Sequence, residues 1–183
     1  DFNQVFFEDA RVPVSGRLGE EDQGWAVAKY LLEFERAVAH SAGLHAALED
    51  VRAEAKAAGL DADPSIRRKI SLIAAQIAAI EAVEFGVMSL MAKGGNPGPA
   101  SSTLKIQGTE TMQAIQHLAV ELAGPYAAAD QYVTRQPGSN GTPLTSDAAM
   151  VAVPRYFNGR ASSIYGGSNE IQRGIIAKQV LGL

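Results

Sequence analysis

The sequence predicts an all-α fold, an antiparallel four-helix-bundle-type domain that follows a short extended N-terminal leader. Apolar residues recur at helical spacing along three long, alanine-rich segments of the chain. Clusters of glycine and proline separate these segments, as expected for short connections between antiparallel helices. We assign residues 1–22 to the leader and residues 23–183 to the bundle domain.

The leader differs in character from the rest of the chain. Residues 5–7 form a short β-prone run, and residues 19–24 are acidic and loop-like. The chain opens at Asp1 without a methionine, in a segment predicted to be a strand already under way. We therefore expect the chain to be a fragment or a processed piece of a longer protein.

The first two long helices have recognisable ends. The first is predicted over residues 25–58, because Gly59 stands where a C-terminal helix glycine is expected. The second is predicted over residues 65–93. Asp63 supplies a capping side chain ahead of it, and Pro64 suits the first helical position.

The remaining elements follow from breaker residues. A third long helix is predicted over residues 100–123, after the glycine and proline cluster at 94–99. Residues 124–143 are predicted to be a loop, and a shorter helix is predicted over residues 144–158. The last helix is predicted to begin near Ser168 and to run to the C-terminus.

Composition excludes several classes of function. The net charge of −4 gives no reason to expect nucleic acid or an anionic membrane surface as a partner. The absence of cysteine excludes disulfides, thiolate zinc sites and cysteine nucleophiles, and the three histidines lack metal-binding spacing. No apolar run reaches the roughly 18–20 residues of a membrane span, so we expect no membrane partner and a cytoplasmic location.

Four segments resemble the acyl-CoA dehydrogenase family. Residues 164–183, which contain the run YGGSNEIQR, closely resemble the C-terminal signature of that family. Residues 2–13 are similar to the last strand of its middle β-domain and the exit from it. Residues 19–25 resemble the loop before its first C-terminal helix, and residues 121–126 resemble the glycine turn that ends its third bundle helix. The segments occur in family order, so the resemblance covers the whole chain.

The resemblance implies a C-terminal helical domain that packs against an N-terminal helical domain and a β-domain. It implies bound FAD, an acyl-CoA substrate, electron-transferring flavoprotein as electron acceptor, and a homo- or hetero-oligomer (dimer or tetramer). The implied reaction is α,β-dehydrogenation in fatty acid or lipid metabolism. A carboxylate removes the α-proton while the β-hydrogen leaves as hydride to flavin N5. The isolated chain is expected to be inactive, because the other domains would supply most flavin and CoA contacts.

The catalytic base is expected on the first helix. Many family members carry a glutamate directly after the signature tyrosine, but here Tyr165 is followed by Gly166. A subset similar to isovaleryl- and long-chain acyl-CoA dehydrogenases carries the base in a Glu-Arg pair, which Glu35-Arg36 matches. The resemblance implies Glu35 as the base and Arg36 as a substrate-binding residue that holds this carboxylate or the active-site loop. The alternatives are a solvated charge pair, and Glu33 as a rival carboxylate on a different helix face.

The signature run also supplies candidate ligand contacts. Gly166, Gly167 and Ser168 form a turn before a helix N-terminus, where backbone amides can receive an anion. By resemblance, Tyr165 and Gly166 lie beside substrate and flavin, while Gly167, Ser168 and Glu170 contact FAD. Ser168 is equally suited to be a helix cap, so a structural role and a ligand role are both open.

Two departures from the family pattern concern the flavin. An Arg-x-x-Phe-Gly-like segment, which reaches the FAD of a neighbouring subunit in many members, is absent before the second helix. Arg67 and Arg68 are candidate replacements for that FAD contact, or they are simply solvated at a helix start. Glu121 stands where the family commonly has an amide.

Three functions are compatible with these residues. The leading hypothesis is a working acyl-CoA dehydrogenase. A non-catalytic partner subunit of a heteromeric dehydrogenase is the second, favoured by Gly166 and the absent arginine segment. The third is an acyl-CoA oxidase-like flavoenzyme or related flavin monooxygenase. Branched, long-chain and steroid-derived acyl groups all fit the sequence.

Overall fold

A computed structural model describes residues 3–35 and 40–183. Within these ranges the chain is helical and contains no β-strand, which confirms the all-α prediction. The helices are α1 (Gly24–Glu35), α2 (Ser41–Ala57), α3 (Pro64–Ala92), α4 (Pro99–Ala123), α5 (Asp147–Gly159) and α6 (Asn169–Ile176). Short 3-10 turns cover Val14–Gly16, Gly124–Ala128 and Arg160–Ser163, and a π-helical turn covers Ala177–Leu181.

The core lies between α2, α3 and α4, and α4 is central because it packs against α2, α3, α5 and α6. Each helix contributes residues at helical spacing, so one apolar stripe from each faces the same interior. Burying a leucine or isoleucine side chain contributes roughly 1.5–3 kcal/mol. The buried set includes Leu44, Leu48, Val51, Ile73, Ile77, Ile80, Leu104, Ile115 and Leu118.

The predicted boundary between the first two long helices is confirmed in detail. The Asp63 carboxylate accepts hydrogen bonds from the backbone nitrogens of Ser65 at 2.8 Å and Ile66 at 3.1 Å. These contacts satisfy two backbone donors that a helix start otherwise leaves unpaired. Gly59 adopts φ +69°, a left-handed conformation that ends α2.

Of two predictions near the N-terminus, one was wrong and the other falls partly outside the described residues. The run Val5–Phe7 is exposed and does not form a strand, because a strand needs a hydrogen-bonded neighbour and the described ranges contain none. The single helix predicted over residues 25–58 is described as α1 and α2. Residues 36–39 between them lie outside the described residues.

The later boundaries also shifted from the prediction. The fourth predicted helix begins at Asp147 and not at Leu144, because the Leu144 nitrogen donates to Gln131 Oε1 at 2.8 Å and Ser146 caps the helix. The predicted loop contains a 3-10 turn at its start. The last helix keeps α-helical geometry only to Ile176 before the π-helical turn.

Within the described ranges, α3 is long and apolar enough to cross a membrane by length and composition. The expectation that no segment reaches that length was therefore wrong for this helix. In the structure, Ile73, Ile77 and Ile80 of α3 face the core, where α3 packs against α2 and α4. Leu72 and Phe85 lie on its outer side and are more than half exposed. The helix is apolar both toward the bundle and away from it.

Candidate functional site

The signature run contains a glycine turn ahead of α6, formed by Gly166 and Gly167, which is the signature turn. Gly166 has φ +67° and Gly167 has φ +89°, two successive left-handed conformations that favour glycine over other residues. Tyr165 precedes the turn and is 64% exposed. A Cβ atom added to Gly166 would meet no other atom within 4 Å, so the space beside the turn is open.

Gln172 holds this turn in place from within the fold. Its side chain is 0% exposed. The Ser102 hydroxyl on α4 donates to Gln172 Oε1 at 2.8 Å, and Gln172 Nε2 donates to the carbonyl oxygen of Gly167 at 3.2 Å. Because both partners are buried or part-buried, losing either bond would leave a polar group unsatisfied. The turn is thereby attached to the central helix.

Asn169 provides a second polar attachment to α4. The buried Lys105 donates from Nζ to Asn169 Oδ1 at 2.8 Å, and Asn169 Nδ2 donates to Glu110 Oε1 at 3.3 Å. Arg173 forms an ion pair with the same Glu110 oxygen at 2.7 Å. Together these contacts dock the first turn of α6 on α4. Lys105, Asn169 and Gln172 were not predicted as site residues, although the i, i+3 spacing of the last two is a signal that they share a helix face.

Ser168 caps α6, which confirms the structural role open to it. Its hydroxyl accepts a hydrogen bond from the backbone nitrogen of Ile171 at 3.4 Å. The pKa of the exposed Glu170 is held below its ordinary value, first by its own backbone N–H, then by Ser168, and further by Arg173 and Lys105. Donors and cations around the start of α6 therefore favour negative charge there.

A cleft joins the glycine turn to α1. Its volume is about 940 Å³, and one wall consists of Trp25, Lys29 and Leu32, which follow the i, i+4, i+7 spacing of one helix face. Gly166 and Gly167 line the cleft from the opposite element. Other lining residues come from the N-terminal part of α4 and from α6, among them Ser101, Ser102, Ile171 and Ile175. The fold therefore brings the first helix and the signature turn to one open cavity.

Glu35 is the last residue of α1 and is exposed. It lies one helical turn beyond Leu32, which lines the cleft. Arg36 lies outside the described residues, as does the side chain of Glu33. The structure thus places the helix that carries Glu35 beside the signature turn, and the catalytic assignment itself stays a prediction.

Arg67 and Arg68 are not brought to this cleft. Both are exposed in the first turn of α3, and the neighbouring Lys69 pairs with Glu121 near the end of α4. The signature turn docks at the other end of α4, near Lys105. At about 1.5 Å of rise per residue, the stretch of α4 from Lys105 to Glu121 is roughly 24 Å long. Any role for these arginines at a flavin would concern a site other than this cleft.

Comparison with known proteins shows extensive similarity. The sequence model of the family described as "Acyl-CoA dehydrogenase, C-terminal domain" matches residues 22–181. The acyl-CoA dehydrogenase IpdE1 of Mycolicibacterium smegmatis is 30% identical over 189 residues, which cover 100% of this chain and 43% of that protein.

Two solved structures share the fold of the chain. The steroid ACAD Tcur3481-Tcur3483 matches with a TM-score of 0.74 and 25% identity, over 97% of this chain and 44% of that chain. The ChsE4-ChsE5 complex from Mycobacterium tuberculosis matches with a TM-score of 0.71 and 27% identity, over 97% of this chain and 45% of that chain. The chain therefore spans less than half the length of each of these relatives.

Proposed function

This chain belongs to the acyl-CoA dehydrogenase family, whose C-terminal domain it matches over residues 22–181, and we propose that it supplies the catalytic base of such an enzyme. The observation that carries the proposal is the cleft shared by α1 and the signature turn. Glu35 ends the helix that forms one wall, and Gly166 has no side chain that could act as a base. A carboxylate at the end of α1 is therefore the candidate proton acceptor.

In the proposed reaction Glu35 removes the α-proton of an acyl-CoA thioester. Bound FAD would accept the β-hydrogen as hydride. Arg36 would hold the carboxylate or the substrate by a charge-assisted hydrogen bond. Glu35 is exposed in this chain, so a covering element from the rest of the protein would be needed to exclude water from the base.

The glycine turn fits a flavin and substrate site in two respects. The space beside Gly166 is open, and the backbone amides at the start of α6 lie in a region that favours negative charge. Gly167 and Ser168 would hold anionic groups of FAD, while Tyr165 and Gly166 border the substrate. Glu170 is the weakest of the proposed FAD contacts, because its own charge opposes an anionic group.

The FAD contacts of the two arginines, the oligomeric state, the electron acceptor and the cellular location are also proposals. FAD contact by Arg67 and Arg68 would involve the flavin of another subunit, since they lie on α3 beside the Glu121 end of α4, while the turn docks at the opposite end. Oligomers, with identical or different subunits, are supported by the relative that is a ChsE4-ChsE5 complex. Electron-transferring flavoprotein as acceptor is proposed from the family resemblance alone, and a cytoplasmic location stays a prediction from the sequence pattern.

The test is anaerobic flavin bleaching in the full-length protein that contains this domain. A panel of branched, long-chain and steroid-derived acyl-CoA thioesters is added, with steroid-derived substrates first because one relative is a steroid ACAD. We expect Glu35→Gln to retain FAD and to reduce it at least about 100-fold more slowly, the usual contribution of general base catalysis. Glu33→Gln tests the rival carboxylate on the same helix, and a loss of flavin reduction in that variant alone would assign the base to Glu33. A wild-type rate for Glu35→Gln would exclude Glu35 as the base.

A second candidate function is a partner subunit that lacks catalysis. It is favoured by Gly166, which leaves the usual base position empty of a carboxylate, and by the similarity to a complex of two chains. A full-length wild type that purifies without flavin, or holds it and is not bleached by any thioester, would support this function. Rapid reoxidation of the bleached enzyme by oxygen would instead indicate an oxidase-like activity.

A further inference from the structure

Glu84 of α3 is a buried carboxylate that the proposed reaction does not use. Its side chain is 3% exposed. The backbone nitrogen of Ser41 donates to Glu84 Oε1 at 3.0 Å, and the Ser41 hydroxyl donates to Oε2. The backbone nitrogen of His40 also donates to Oε1. All three donors belong to the start of α2, so Glu84 caps that helix from a neighbouring one.

The start of α2 has no cap from its own sequence. His40 occupies the N-cap position but its side chain makes no capping hydrogen bond, and the first turn of α2 carries no acidic residue. The unpaired N–H groups and the positive end of the helix dipole favour a negative charge at this point. Glu84 supplies both the acceptors and the charge from 43 residues away.

His40 is also held from the side of α4. A Cβ atom at Gly108 would lie 2.7 Å from His40 Cγ and 2.9 Å from Nδ1, closer than packed atoms allow. Glycine at this position therefore lets the imidazole lie directly against the α4 backbone. Together α3 and α4 fix where the chain enters α2.

This fixed point lies five residues after Glu35, which ends α1. Five residues span at most about 18 Å even when fully extended, so the position of His40 restricts that of Glu35. We propose that Glu84 is a positioning residue for the proposed base: by capping α2 it restricts where α1 ends and where Glu35 lies relative to the cleft. This inference rests on the proposed role of Glu35.

The test compares Glu84→Gln with Glu81→Gln in the full-length protein. Glutamine preserves the shape of the side chain but removes the charge and puts an N–H donor where an acceptor is needed. Glu81 lies on the same helix, is about 41% exposed and lies 3.8 Å from His45. It therefore controls for loss of a charge from α3.

Two readouts are measured on both variants. In Glu84→Gln we expect backbone amide hydrogen exchange at His40 and Ser41, whose nitrogens donate to Glu84, to accelerate at least tenfold. We also expect acyl-CoA-driven flavin reduction to slow at least tenfold, with FAD content and thioester affinity unchanged. A general loss of stability would instead lower FAD content and thioester affinity together with the rate. In Glu81→Gln both readouts should stay within twofold of wild type.

Several results would overturn the positioning role. One is amide hydrogen exchange in Glu84→Gln that does not differ from wild type. The others are a wild-type rate of flavin reduction in this variant, or slow reduction that the loss of FAD fully explains. If Glu84→Gln does not fold, Ser41→Ala removes one donor and keeps the carboxylate. The Ser41→Ala variant should then show faster amide hydrogen exchange at His40 and Ser41 and slower flavin reduction. Wild-type values of both quantities would overturn the role. If no thioester reduces the wild-type flavin, the proposed function fails, while hydrogen exchange still decides whether Glu84 fixes the start of α2.

Discussion

The side-chain nitrogen of Gln172 donates a hydrogen bond to the carbonyl oxygen of Gly167, 3.2 Å away. The same side chain accepts from Ser102 on α4 and is fully buried. A residue of α6 therefore holds the turn that precedes its own helix and ties that turn to the centre of the bundle. The geometry of the signature depends on a buried amide that is not itself among the residues lining the cleft.

Replacing Gln172 with leucine should destabilise the chain. The change keeps a similar volume but leaves the buried Ser102 hydroxyl and the Gly167 carbonyl without this partner, at a cost of about 1–3 kcal/mol each when unsatisfied. Urea unfolding should show a lower midpoint. Gln107→Leu on the exposed side of α4 is the control, and its free energy of unfolding should change by less than about 0.5 kcal/mol. Equal midpoints for the two variants would contradict the anchoring role of Gln172.

Two glycine-to-alanine changes near α6 should have opposite signs. Gly166→Ala should destabilise by about 1–2 kcal/mol, because φ is +67° and only backbone strain opposes the added Cβ in open space. Gly174 lies inside α6 without a left-handed φ, and a Cβ there also meets no atom within 4 Å. Gly174→Ala should therefore stabilise by about 0.5–1 kcal/mol. Thermal unfolding of both variants measures the difference, and a shift of the same sign in both would refute it.

Glu170 should make the stability of the chain depend on pH in the acid range. Its folded pKa is lowered, chiefly by its own backbone N–H and by Ser168, so the ionised carboxylate favours the folded state. This contribution is complete above the ordinary pKa near 4.5 and is lost as pH falls through the lower folded pKa. The stability gap between wild type and Glu170→Gln should therefore be largest near neutral pH and shrink below about pH 4.5. Denaturant unfolding across this range checks it, and a gap independent of pH would show that Glu170 acts without titrating.

The sequence predicts best those helix ends whose contacts are local. Asp63 reaches backbone donors two and three residues ahead, and Gly59 closes α2 through its own φ, so both ends appear in the sequence as short patterns. The start of α5 was misplaced because Gln131, 13 residues earlier, accepts the hydrogen bond that holds Leu144 outside the helix. Contacts between distant residues leave no periodic signal.

In the candidate site, too, the sequence predicts the residues whose partners are close in sequence and misses those whose partners are distant. The cap by Ser168 could be predicted because its partner is three residues ahead. Buried Lys105 and Glu84 could not, because lysine and glutamate are normally exposed and their partners, Asn169 and Ser41, are 64 and 43 residues away. The catalytic roles of Glu35 and Arg36 rest on family resemblance and stay predictions.

The central place of α4 has a consequence for the order of folding. Although α2 and α3 also pack against each other, α4 is the helix that packs against all four of α2, α3, α5 and α6. We therefore expect the folding nucleus to include α4, so that truncating Leu104 or Ile115 slows folding. The glycine turn is attached to α4 through Gln172. We expect this attachment to form after the rate-limiting step, so that changes in the turn mainly accelerate unfolding.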